Sequence, residues 1–116
     1  MHRYLRLASR ISVKGNPRRK AHIGCVGRRS DGALVFSWNG CSNGHAFHQC
    51  PSAHAEARLV RKLDIGSEVW VARVRRDNGL MALAKPCAGC AARLKSRGVL
   101  RCTYSISENE FGVLEF

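Results

Sequence analysis

The stretch Ser52-Ala53-His54-Ala55-Glu56, taken with Lys85-Pro86-Cys87-Ala88-Gly89-Cys90, decides how this chain reads. One imidazole, His54, and two thiols, Cys87 and Cys90, form a three-ligand zinc set. Three protein ligands leave a fourth position open to water, which is how catalytic zinc differs from structural zinc. Cys87 and Cys90 stand three residues apart, about one helical turn, so a helix would present both thiols together. Gly98 is placed to end that helix after Leu94. His54 and Glu56 sit at the start of a second expected helix, residues 53–62. Leu59 and Leu63 are its apolar positions and Ser52 its N-cap. Both ligand groups then lie at helix N-termini, where the macrodipole favours thiolate and other anions. Glu56 is not needed as a ligand, and its neighbour His54 puts it beside the metal-held water. It is the group suited to carrying protons. A structural zinc knuckle would want four protein ligands, and a redox Cys-x-x-Cys would not need His-x-Glu.

The His-Ala-Glu and Pro-Cys-Ala-Gly-Cys pair resembles the zinc site of the cytidine deaminase superfamily. The resemblance runs over nearly the whole chain. It implies an α/β fold: a three-layer α/β/α sandwich around a mixed five-stranded sheet, its last two strands antiparallel. It implies hydrolytic deamination of cytosine to uracil, with one zinc held by His54, Cys87 and Cys90. Glu56 would take a proton from the metal-held water, then deliver protons to N3 and the leaving amine. The backbone N–H of Ala55 would hold the base carbonyl. Asn39, in an Asn-Gly context after the second expected strand, matches the family's sugar-contacting Asn; it reads equally well as a turn residue. Lys85 departs from the Glu found there in tRNA adenosine deaminases.

The rest of the chain is read around these motifs. With 116 residues it is expected to form one domain, residues 1–116, around one modest core. Residues 2–14 have helical periodicity, with Tyr4, Leu7, Ala8 and Ile11 on one face and Leu5 near it. Residues 21–28, 33–38, 68–75, 100–106 and 111–116 read as strands, and 80–84 as a return strand or an extended approach to the cysteines. The interval between the last two strands is too short for a crossover helix, so they should form a hairpin. Cys25 and Cys102 fall in apolar strand-like runs. Their thiols suit a reducing, cytoplasmic interior better than a disulfide framework. No signal-peptide core or membrane span is read in the sequence.

Cys41, His45, His48 and Cys50 precede the first motif. Two thiols and two imidazoles form a valid tetrahedral set for a second, structural zinc. Their loose spacing equally suits a loop lining the substrate mouth, and a single zinc is the expectation.

Charge is the second large signal. Lys and Arg number 20 against 8 acids, a net +12. Nine cations and no acid fall in the first thirty residues, three of them the connector Arg18-Arg19-Lys20. Such a concentration attracts polyanions. The expected partner is therefore nucleic acid, single-stranded DNA above all, because a base inside a duplex is out of reach unless flipped. The alternative substrate is free deoxycytidylate or cytidine, as in small salvage deaminases; one phosphate leaves most of the charge unexplained. A zinc-containing nucleic-acid-binding module without catalysis is the third reading, and Glu56 argues against it. Oligomeric state cannot be read from the sequence.

Overall fold

Both faces of the central strands are apolar, so the sheet must be covered on two sides. The computed structural model describes residues 3–13, 21–39, 55–75 and 77–116. In chain order these form α1 (Arg3–Ser12), β1 (Ala21–Arg28), β2 (Leu34–Trp38), α2 (Ala55–Val60), β3 (Glu68–Arg75), β4 (Met81–Ala82), α3 (Ala88–Arg97), β5 (Arg101–Ser107) and β6 (Glu110–Glu115). The sheet runs β2-β1-β3-β5-β6, with β4 paired to the C-terminal end of β3 on the edge that β5 pairs further back. β1 is antiparallel to both neighbours, while β3 and β5 are parallel. The parallel pair needs a crossover, and α3 lies on it. β5 and β6 are antiparallel, as the short interval between them requires. The sheet is mixed as expected, and the two-residue β4 brings it to six strands.

One core lies between the sheet and the α2–α3 layer, built from Leu59, Leu63, Val69, Val71, Leu94 and Cys102 with their neighbours. A second lies under α1, built from Leu5, Ala8, Val26, Trp70, Ala72 and Val74. Burying one such Leu contributes about 1.5–3 kcal/mol. Sequence periodicity centred the α1 stripe on Tyr4, Leu7, Ala8 and Ile11. The buried line is instead Leu5, Ala8 and Ser12, with Tyr4, Leu7 and Ile11 half-buried on its flanks.

The cause of that rotation is Gly24 on β1. A Cβ there would overlap the Ala8 carbonyl oxygen and come within 2.6 Å of the Ser12 nitrogen. The helix backbone rests directly on the strand backbone, which only glycine permits. Gly24→Ala is therefore expected to cost about 1–3 kcal/mol, the range for overpacking a close-packed core. Chemical denaturation checks it, and a variant as stable as the parent would mean that α1 does not sit on β1 at this point.

Two local devices set the site's frame. Gly98, at φ 95°, ends α3 and donates its N–H toward the Leu94 and Lys95 carbonyls. Asp64, between α2 and β3, accepts from the Ser30 backbone (3.0 Å), the Ser30 hydroxyl (2.5 Å) and the Ser67 hydroxyl (2.6 Å). These bonds hold its carboxyl well below the usual carboxylate range and tie the α2 end to the β1–β2 turn. Among the described residues no helix is long and apolar enough to cross a membrane.

Candidate active site

α2 and α3 lie side by side on one face of the sheet, and their first turns meet. Cys87 is the N-cap of α3, at φ −66° and ψ 165°, and makes no side-chain cap. Its carbonyl accepts the Ala91 N–H at 2.9 Å, which starts the helix. Cys90, one turn on, is buried, whereas Cys87 is exposed. The two thiols are in hydrogen-bonding contact. The extended approach to them is fixed from β5. The Ala84 N–H donates to the Ser105 carbonyl at 2.8 Å, and the Ser105 hydroxyl donates to the Ala82 carbonyl at 2.7 Å.

Glu56 is in the first turn of α2 and only 5% exposed. Its carboxylate lies near enough to act on three thiols, Cys90, Cys25 and Cys102. Burial first, then Glu56, push the Cys90 thiol up to about 12. Burial and the same carboxylate also raise Cys25 and Cys102. Cys25 and Cys102 are fully buried, as their strand positions led us to expect, and they face the acid from the sheet. Their nearness to Glu56 was not legible in the sequence. The sequence placed them only in two apolar strand-like runs.

Ala55 is fully buried, and its carbonyl accepts the Ser37 hydroxyl at 2.5 Å. Ser37, from β2, is thus a neighbour of the motif that sequence reading missed. Only a buried hydroxyl on an otherwise apolar strand could have flagged it. Asn39 is 8% exposed and prolongs the β1–β2 ladder. Its Oδ1 accepts the Ile23 N–H at 2.9 Å, and its own N–H donates to the Ile23 carbonyl at 3.1 Å. Side chain and main chain of Asn39 thus both close the end of that ladder.

Several sequence-derived candidates lie outside the described residues: His54, the connector Arg18, Arg19 and Lys20, and the loop residues Cys41, His45, His48 and Cys50. Among the described residues no group of three His, Cys, Asp or Glu side chains could hold a metal. Two of the three expected zinc ligands, Cys87 and Cys90, are brought together. The donor chemistry fits a zinc ion. Two soft thiols touch at a helix start, and burial beside a carboxylate keeps Cys90 protonated unless a cation compensates.

No family model matches the sequence, and no curated protein matches it. In three dimensions the chain is similar to cytidine deaminase from Burkholderia pseudomallei. The TM-score is 0.70 over 98% of this chain and 91% of that one, at 14% identity. It is also similar to cytidine deaminase from Mycobacterium leprae, with a TM-score of 0.57 over 96% and 90% of the two chains, at 18% identity. The chain has the fold of the cytidine deaminases.

Proposed function

We propose that the chain is a zinc-dependent hydrolytic deaminase of cytosine, a hydrolase acting on an amidine C–N bond. The observation that carries this reading is the meeting of buried Glu56 with the Cys87–Cys90 pair, at paired helix starts, in a fold that cytidine deaminases share. His54, Cys87 and Cys90 would hold the metal. When bound, zinc supplies a Lewis acid that makes a held water acidic near neutral pH.

The chain's own groups do the rest. Glu56 takes a proton from the attacking water and delivers protons to N3 and then to the leaving amine. Its burial removes competing solvent and keeps that transfer directed. The Ala55 N–H holds the base carbonyl. Ser37, bonded to the Ala55 carbonyl, helps fix the position of Ala55. Asn39, with Oδ1 committed to Ile23, serves the substrate as a donor through its amide hydrogens.

The favoured substrate is cytosine in single-stranded DNA, because a net charge of +12 exceeds what one phosphate needs. Free deoxycytidylate is the second reading, favoured by the likeness to cytidine deaminases. The test is to incubate zinc-loaded protein with deoxycytidylate, cytidine and a cytosine oligonucleotide and to follow uracil in each. Uracil in the oligonucleotide, formed less readily as salt rises, is the expected result. Turnover of deoxycytidylate alone would move the substrate to the free nucleotide. No turnover of any of the three would overturn the reaction.

A further inference from the structure

Three of the N-terminal cations, Arg3, Arg6 and Arg10, do not sit where the site is. They are exposed on α1, which covers the face of the sheet opposite α2 and α3. The sheet therefore separates those three from the thiols and Glu56. A different set lies on the site's own layer. Residues 55–63 and 88–97 carry Arg58, Arg61, Lys62, Arg93, Lys95 and Arg97, and their single acid is the buried Glu56.

Ion pairing sharpens the contrast. Among the described residues the paired carboxylates Asp31, Asp64, Glu68 and Asp77 engage Arg28, Arg29, Arg75 and Arg101. None of the six helix-layer cations meets a carboxylate among the described residues. Two of them are tied to backbone carbonyls instead: Arg97 Nε donates to Leu63 at 2.8 Å, and Lys62 Nζ to Phe36 at 2.6 Å. Such bonds orient a cation and leave its charge uncompensated. Between the helices, Val60, Ala92, Arg93, Ser96 and Arg97 line a shallow groove of about 430 Å³.

We propose that this α2–α3 groove is a track for the phosphate backbone of a single-stranded polynucleotide whose target base enters at the helix starts. The proposal rests on the deaminase reading for what the strand is doing there. Geometry suits it. Along the α3 axis Arg93 lies about 4.5 Å and Arg97 about 10 Å from Cys90, at 1.5 Å per residue. Even at the duplex spacing of about 3.4 Å per strand, which an extended single strand exceeds, those guanidinium groups meet phosphates within about three nucleotides of the base. Arg forks and the Ser96 hydroxyl suit phosphate oxygens, the contacts that position a strand on a protein.

The test uses the full zinc-loaded chain and a fluorescent oligothymidylate, which contains no cytosine and needs no turnover. Binding is titrated across a potassium chloride series. Each phosphate neutralised on a single strand contributes about 0.7 to the slope of log K against log salt. Arg93→Gln with Arg97→Gln should therefore lower the slope by about 1.4. Arg93→Gln alone should lower it by about 0.7 while keeping the Arg97–Leu63 bond, which guards against a folding defect. Arg3→Gln, Arg6→Gln and Arg10→Gln together should leave it unchanged. An unaltered slope in both helix-layer variants overturns the proposal, and so does an equal drop in the α1 variant. Weakened competition by deoxycytidylate in the helix-layer variants, with the oligothymidylate slope intact, overturns it too and makes the groove a mononucleotide phosphate site. A protein that shows the expected slopes but deaminates nothing keeps the track and loses the reaction. One that deaminates deoxycytidylate without binding oligothymidylate does the reverse.

Discussion

Glu56→Ala should keep its fold and its zinc while turnover falls at least about a thousandfold, because on the proposed reaction general acid–base catalysis and positioning would be lost together. The carboxylate is buried at the first turn of α2, so no solvent group stands ready to replace it. Truncation leaves a small cavity but does not unseat the helix, which is anchored by Leu59 and by Leu63 just beyond it. It also removes a negative charge that acts on Cys90, so the thiol pair is not made a poorer metal site. Glu56→Gln is the companion variant, filling the space without a titratable group. Metal analysis, circular dichroism and a uracil assay read the three quantities separately. Near-normal activity in a zinc-loaded Glu56→Ala protein would refute the assignment.

Cys87→Ser should lose the metal and with it much of the stability. Serine is a good N-cap, and Cys87 is an exposed N-cap with no side-chain cap bond, so helix capping does not suffer in the exchange. What disappears is one of the two described sulfur ligands that would tie the start of α3 to the start of α2. Metal binding of this kind is linked to folding, so zinc content and unfolding temperature should fall together. A chelator should lower the unfolding temperature of the parent to that of Cys87→Ser and leave the variant where it is. A variant retaining full zinc would remove Cys87 from the ligand set.

The parts of this molecule that were legible in the sequence are those whose chemistry is local. The spacing of Cys87 and Cys90, the stop at Gly98 and the short β5–β6 interval are settled within a dozen residues each, and the structure has α3, its left-handed cap and the hairpin. The seating of α1 was not legible. Tyr4, Leu5, Leu7 and Ile11 are all apolar, and the choice among them is made by Gly24, a residue on another element. Trp70, buried under α1 and stacked near Tyr4 with ring centroids 4.5 Å apart, was missed for a similar reason. Strand alternation points it away from Val69 and Val71, and only the second helical layer makes that face interior. The helix-layer groove went unweighted because Val60 and Arg93 are far apart in the chain. They become one surface only when α2 packs on α3.

The position of Ser105 bears on how the chain is made. Its hydroxyl accepts the Arg73 N–H at 3.2 Å and donates to Ala82, and its carbonyl takes the Ala84 N–H. The segment leading to both thiols is therefore pinned by a residue synthesised some twenty residues later. During vectorial synthesis α1 and β2 can meet β1 early, since both pack on it, while the other edge of β1 waits for β3. β3 then emerges with β1 beside it and its other flank bare. The thiols precede the strand that aims them, so neither has its final place until β5 has docked. A partly folded chain without β5 in place would show two unplaced cysteines, making the docking of β5 the step that completes the thiol pair.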